Sequence, residues 1–544
     1  MSEQQMVCPP ELVAVAPAEE AAEQLAGDTR EKSSSKLLTA IQWAFSFPAM
    51  LGVLLVARLV YAMNIFFVDP DVWWHIKVGQ DILRSHRWPT TDPYSFTAAH
   101  TPWIAYEWLG EMVLASVAKM GGIAALCALL MVVTSAAMLG LYYLATLRAG
   151  NCKAGFIPLF LMGPLVFLSF TLRPQMFGYL FLVMLLIALE WFRKGVSWPL
   201  WTLPVLFVVW VNTHGSFIVG IAVMVAYLCC GLRSFRLGNV EASAWSAKQR
   251  MQLELALLGA LAVLPITPYG TRLAVYPFDM MFNQPLNVAN IIEWRPMPFD
   301  VEFGKLFLGM VVLAVVLQIL FRFTWRLEEL LLAMGGTVMA CIHARMLLVF
   351  VPFFVAIFAT MLSRWFGRYH RERDKYVLNA ALMAAAIFAI VWYFPSRSKL
   401  ERSVEKQFPV RAVKFLRSYP IKGPIFNNYG TGGYLVAYYP EQEVFIDGRG
   451  DLYERSGVLG DYMQVVTIKP AALSVLNFYG IRVCLLEQGE PLAVALSASP
   501  QWKRIYVDGT SVIFVRASAV SSGTEGQNTT SARLIEMSKG DELP

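Results

Sequence analysis

The stretch VDPDVWWHIKVGQDIL, residues 68–83, follows directly on an apolar run, 37–63, that is long enough to cross a bilayer, which takes about 20 residues of helix. Acids, paired tryptophans and a histidine at the end of a span put polar chemistry at a membrane surface. The rest of the chain reads the same way. Of 544 residues, 57% are hydrophobic and 15% charged, and the mean hydropathy is +0.51. Soluble proteins carry about a quarter charged residues, so a soluble enzyme is excluded. Ten further apolar stretches read as spans: 122–147, 154–172, 175–192, 198–212, 216–232, 252–266, 303–321, 327–342, 346–363 and 376–394. The expected fold is an α-helical polytopic membrane protein of about eleven transmembrane helices. The fifth stretch is short and holds Pro199 and Pro204, which blur its limits.

Lys and Arg in the connections set the orientation. With the N-terminus cytoplasmic, the inner connections (Arg148 and Lys153, for example, or Arg364, Arg368, Arg371, Arg373 and Lys375) hold nearly twice as many basic residues as the longer outer ones. An odd number of spans then places the 64–121 loop and everything after Phe394 outside, which implies a multi-pass protein of the cytoplasmic (inner) membrane. The net charge of +6 is accounted for by the inner connections and is no argument for nucleic acid. Of seven cysteines only Cys484 falls in the exported part, where it has no partner for a disulfide. The acidic start lacks the basic beginning and apolar core of a cleaved signal, so the first span is read as its own export signal.

Residues 1–36, rich in Ala, Glu and Ser, and 518–544, rich in Ser, Thr and Gly, have the composition of disordered tails. The membrane domain is expected over 37–395 and an extracytoplasmic α/β domain over 396–517. There, β-type runs (Val444 to Ile446, Arg482 to Leu486, Arg504 to Val507, Ser511 to Val515) alternate with helical ones (Val410 to Ser418, Ala471 to Phe478, Pro491 to Ser497). Its most unusual passage, 425–453, leads from a glycine-rich turn to Asp447, Arg449 and Asp451 beyond a strand, where ligands of open α/β sheets collect. The plainer reading is that the glycines permit tight turns while Asp447 and Arg449 pair with each other.

In the 64–121 loop, Asp69 suits an N-cap and Pro70 the first helical position. Asp71 and His75 then share a helix face, as do Glu107 and Glu111 further on. A carboxylate and an imidazole so spaced can hold a divalent metal, or the carboxylate can act as a base toward a hydroxyl. Against this, Asp69 can be only a cap, His75 only a buried hydrogen-bonding group, and Trp73, Trp74, Trp103 and Trp108 an interfacial belt. A cap explains one aspartate and leaves the other unexplained. Asp92 lies in the same loop, and Arg173, His214, His343, Arg345, Glu293 and Arg295 fall at expected outer helix ends. Guanidinium groups there suit an anionic headgroup, or each can snorkel to lipid phosphates.

Taken together, DPDVWWHIKVGQDIL, PTTDPYSFT, WIAYEWLGE, VNTHGSF, NYGTGGYL and VFIDGRGDLY resemble a bacterial group assigned to the polytopic, lipid-dependent glycosyltransferases called GT-C. That class includes protein mannosyltransferases, aminoarabinose transferases of lipid A and the catalytic subunit of oligosaccharyltransferase. The resemblance runs from about Leu37 to Arg516. It implies inverting transfer from a polyprenyl-phosphate-linked sugar donor to a glycan, lipid or protein acceptor, with Asp71 or Asp69 as general base. Arg173, His214, Arg345 and His343 would bind the donor phosphate. Asp92, Glu107, Glu111, Glu293, Asp447 and Arg449 would be acceptor-binding or auxiliary, and Asp71 with His75 would hold any metal. The WWD triplet of oligosaccharyltransferase is missing, which counts against a peptide acceptor. The rival readings are a non-catalytic membrane scaffold and a lipid or sugar transporter. The second is weakened by nearly charge-free span interiors and the lack of an internal repeat.

Overall fold

The computed structural model describes residues 36, 38–63, 68–167, 170–290, 294–419, 421 and 423–518. The two tails lie outside the described residues except for Lys36 and Ser518. A helix stands at each of the eleven apolar stretches. Among the described residues five are long and apolar enough to cross a membrane: Trp108–Ala149, Gln175–Arg193, Glu302–Phe321, Ala344–Leu362 and Tyr376–Tyr393. Leu38–Ala44 with Phe47–Ala62, bent by 41° at a short break, makes a sixth. The protein is an integral membrane protein. Among its shorter apolar helices, Cys152–Phe167 carries Pro158 and Pro164 inside it, and each ring removes an N–H donor from the helix ladder.

The chain divides into two compact units, Met1–Leu54 with His370–Phe388, and Leu55–Tyr369 with Ala389–Pro544. In the smaller, Asp374 accepts the Phe47 N–H at 3.0 Å, Asn379 Nδ2 donates to the Phe45 carbonyl at 3.0 Å, and the Arg371 guanidinium lies 5.2 Å from the Trp43 ring centre. All that follows lies in the larger. Its buried core is built on Leu189, Phe207, Trp210 and Phe217 from three successive helices.

The helix expected to start at Asp69 in the 64–121 segment, termed the surface helix, begins later than its sequence suggests. It runs Val72–Ser85 with Asp71, not Asp69, at the N-cap. Asp69 still serves the turn, because its Oδ1 accepts the Asp71 N–H at 2.9 Å. The helix packs on the long helix Trp108–Ala149 at Gly79, where an added Cβ would come within 2.1 Å of the Glu111 carbonyl oxygen. No side chain fits that approach. The long helix itself fuses the second helix of the 64–121 segment with the span expected at 122–147, through a kink at Gly121 and Gly122, the latter at φ 60°. Only glycine enters that region without strain.

After the last membrane helix the chain forms a four-stranded sheet ordered Ile425–Asn427, Val483–Glu487, Ser511–Arg516, Trp502–Val507, parallel in its first pair and antiparallel in the others. The strand expected over Val444 to Ile446 is absent, and its pairing is done by a side chain. Asn427 Oδ1 accepts the Phe445 N–H at 2.9 Å and Nδ2 donates to the Ile446 carbonyl at 2.7 Å, while Val444 forms an isolated bridge with Ser95. The segment is thus tied to the sheet through the Asn427 side chain, and to the 64–121 segment through Ser95. The glycine-rich helix Tyr429–Tyr438 lies against the surface helix, with Trp73 edge-on to Tyr434 and Tyr438 at 5.7 and 5.3 Å.

Candidate active site

Where the surface helix, the start of the long helix and the glycine-rich helix meet, they enclose a cavity of about 330 Å³. Asp71, His75, Glu107, Arg173, His214 and Arg345, all singled out by sequence, line it. Arg173 stands just before Gln175–Arg193, fixed by Pro174, and spans both aspartates: Nε to Asp69 Oδ2 is 2.7 Å and Nη1 to Asp71 Oδ2 is 3.1 Å. The backbone at Gly448 closes on Asp71, since a Cβ there would lie 1.8 Å from Asp71 Oδ1. One cation and one glycine therefore fix the orientation of this carboxylate.

Behind it runs an alternating row of acids and imidazoles. His75 Nδ1 lies 3.1 Å from Glu111 Oε1, and its Nε2 lies 3.6 Å from Glu107 Oε2. Glu107 Oε1 faces His214 Nε2 at 3.3 Å, and His214 Nδ1 accepts the Ser216 N–H at 3.0 Å, which leaves Nε2 as the donor. Burial, helped by Arg345 and Arg173, presses His214 down to about 3, and burial followed by Arg173 holds His75 well below the usual imidazole range. Burial lifts Glu107 to about 8 against the pull of Arg173 and Arg345. At neutral pH the row is thus two neutral imidazoles around a mostly protonated carboxyl.

The opposite wall is aromatic. Tyr106 and Tyr276 stack with centroids 4.4 Å apart, and the Tyr276 hydroxyl donates to Asp451 Oδ2 at 2.5 Å. Burial raises the Asp451 carboxyl, partly offset by that hydrogen bond. The Arg345 guanidinium lies 4.5 Å from the Trp294 ring centre and its Nη2 donates to Gln175 Oε1 at 3.3 Å. Tyr429 donates to the Gly448 carbonyl at 2.8 Å, and Asn287 Oδ1, buried on the wall, has no hydrogen-bond partner among the described residues.

Several expected site residues lie elsewhere. His343 is not on the cavity wall; it caps Leu327–Ile342 and its Nδ1 bonds the Trp294 carbonyl at 2.6 Å. Asp92, Asp447 and Arg449 form a fully buried ion triad, with Arg449 Nη1 to Asp92 Oδ1 and Nη2 to Asp447 Oδ2 both at 2.6 Å. They hold the wall from behind, so the plainer reading of Asp447 and Arg449 as a pair is the one that fits. Glu111 is buried behind His75, and Glu293 lies outside the described residues. The Asp71 and His75 metal pair separates, because Asp71 turns to Arg173 and His75 to the two glutamates. The place of a cation between the aspartates is filled by the guanidinium, and among the described residues no three His, Cys, Asp or Glu side chains form a metal-holding group. The side chains present do not fit a divalent metal at that pair.

Sequence reasoning passed over Tyr106, Tyr276, Asn287, Trp294 and Tyr429 as site residues, and picked Asp447 and Arg449 from a motif whose cavity-lining members are Gly448, Gly450 and Asp451. Tyr429 had a signal in NYGTGG; Asn287 had none.

No family model matches this chain, and no curated protein matches it. Among solved structures, the Archaeoglobus fulgidus oligosaccharyltransferase tethered with an acceptor peptide containing the NVT sequon has a TM-score of 0.50 at 12% identity, over 87% of this chain and 74% of that one. The apo form of that enzyme gives 0.49 at 12% identity, over 80% and 69%. ArnT from Cupriavidus metallidurans in the apo state gives 0.49 at 14% identity, over 85% of this chain and 97% of that one. At 12% identity the first of these is a likeness of fold. The chain has a GT-C-like fold, the one its sequence resembles.

Proposed function

We propose that this protein is a membrane glycosyltransferase that moves a sugar, with inversion, from a polyprenyl-phosphate-linked donor to a glycan, lipid or protein acceptor at the outer face of the cytoplasmic membrane. The membrane domain is taken as 37–395 and the extracytoplasmic domain as 396–517. The observation that carries the reading is Arg173 ion-paired to both Asp69 and Asp71 on the wall of a cavity that also holds Arg345 and His214.

Asp71 is the general base and Asp69 keeps Arg173 in place. The acceptor hydroxyl gives its proton to Asp71 while its oxygen bonds the anomeric carbon. The bond from that carbon to the phosphate oxygen breaks, and its electron pair leaves with polyprenyl phosphate. Negative charge thus disappears from Asp71 as it builds on the phosphate, and Arg173 can follow it. Arg345 meets the same phosphate, and neutral His214, its Nε2 carrying the proton, is a further donor. The two guanidinium groups supply the cationic stabilisation that other sites obtain from a metal. The stacked Tyr106 and Tyr276 offer a flat face to a sugar ring.

Membranes supplied with labelled polyprenyl-phosphate sugars test this by comparing wild type with Asp71→Asn and Asp69→Asn. Wild type is expected to transfer label. Asp71→Asn should lose at least about a hundredfold in rate, the usual worth of a general base. Transfer that survives unchanged in both variants overturns the assignment.

A further inference from the structure

A second cavity, of about 550 Å³, opens on the far side of the surface helix, between that helix and the long helix at its kink. Nothing in the proposed reaction uses it. Trp73, Arg84, Lys119, Gly122, Leu126 and Tyr438 are among the residues that line it. Two features point to a ligand. Two exposed cations flank the opening: Lys119, and Arg84, whose closest acid is Asp81 at 4.0 Å. The lining then changes character along the groove, since beyond the bend at Gly122 the wall is continued by the apolar Ile123 and Leu126.

We infer that this groove binds an anionic glycerophospholipid, with its headgroup phosphate between Arg84 and Lys119 and an acyl chain descending past Leu126. The two cations complement the phosphate. Only a molecule that is anionic at one end and apolar at the other matches the change of character across the bend. The bound lipid would also brace the site. Tyr438 ends the helix whose first residues, Tyr429 and Gly430, line the main cavity, and Trp73 adjoins Trp74, which lines it too.

The test is native mass spectrometry of the purified full chain in mixed phosphatidylglycerol and phosphatidylcholine, alone and with Arg84→Gln plus Lys119→Gln or with Ala118→Trp, a groove-lining position. Wild type is expected to retain phosphatidylglycerol about thirtyfold better, the worth of two basic side chains near a lipid phosphate. The double glutamine variant, changed only at exposed positions, should bind the two lipids alike. Ala118→Trp should lose one retained lipid whatever its headgroup. Equal retention of both lipids by wild type, or a preference that persists in the double variant, would overturn the inference. Sugar transfer is not the readout, so this result stands apart from the glycosyltransferase reading.

Discussion

A single carboxylate, Asp71, is positioned from two sides, by the Arg173 fork and by the bare backbone of Gly448. Gly448→Ala would push the carboxylate off its mark without touching any charge. Steady-state kinetics should show a fall of tenfold or more in kcat, and stability should drop by about 1–3 kcal/mol from overpacking. A second residue-scale prediction concerns pH. Glu107 titrates at about 8 in the fold against 4.5 for an ordinary carboxyl, so the folded chain keeps a proton that the unfolded chain has released. Its contribution is full below about 4.5 and is lost as pH rises toward 8, with a slope of up to about 1.4 kcal/mol per pH unit. His214, at about 3 in the fold against 6.5, acts in the other sense: its contribution is full above 6.5 and is lost as pH falls toward 3. Thermal midpoints in detergent should therefore fall less steeply on the alkaline side in Glu107→Gln, and less steeply on the acid side in His214→Gln. The charged members of the cavity were legible in the sequence because a charge at a span end is rare enough to stand out. Tyr276, Asn287 and Trp294 were not, because aromatic and amide side chains are common in such connections and only the path of the chain brings them together.

At the scale of elements, the helices were readable from apolar runs, but among the described residues only five of the eleven, or six with the bent pair, are long and apolar enough to cross a bilayer. Element ends were less readable. The surface helix starts at Val72 with Asp71 at the N-cap position, where its side chain makes no capping hydrogen bond, and the long helix is two helical halves meeting at the non-helical Gly121 and Gly122. The strand expected at Val444 to Ile446 failed for a different reason. Its β-branched and aromatic residues suit a sheet, but Asn427 takes up its backbone groups first. Asn427→Ala leaves one N–H and one C=O of that segment buried and unpaired, and should lower unfolding stability by about 2–4 kcal/mol in chemical denaturation. Asn427→Asp, which keeps the acceptor and loses the donor, should fall between the two.

For the molecule as a whole, the connection that matters most is the triad of Arg449 with Asp92 and Asp447, because it ties the 64–121 segment to the chain beyond the last membrane helix. Replacing Arg449 with Leu strands two buried carboxylates. A cost of about 3–5 kcal/mol is expected, seen as a lower thermal midpoint and as protease cleavage around Asp92 that wild type resists. Sequence singled out Asp92 and Arg449 separately but not their tie, since they stand 357 positions apart and no spacing rule joins them. That separation has a consequence for biogenesis. A ribosome adding about 5–20 residues per second needs roughly 20–70 s to pass from Asp92 to its partner. Throughout that time the loop with both candidate catalytic aspartates is already made, yet it lacks the Arg449 guanidinium that ties it down and the Gly448 backbone that closes on Asp71. Whatever insertion machinery and chaperones handle this chain must guard an acidic, tryptophan-rich loop for most of translation, and the cavity wall cannot close until all but about the last hundred residues have been made.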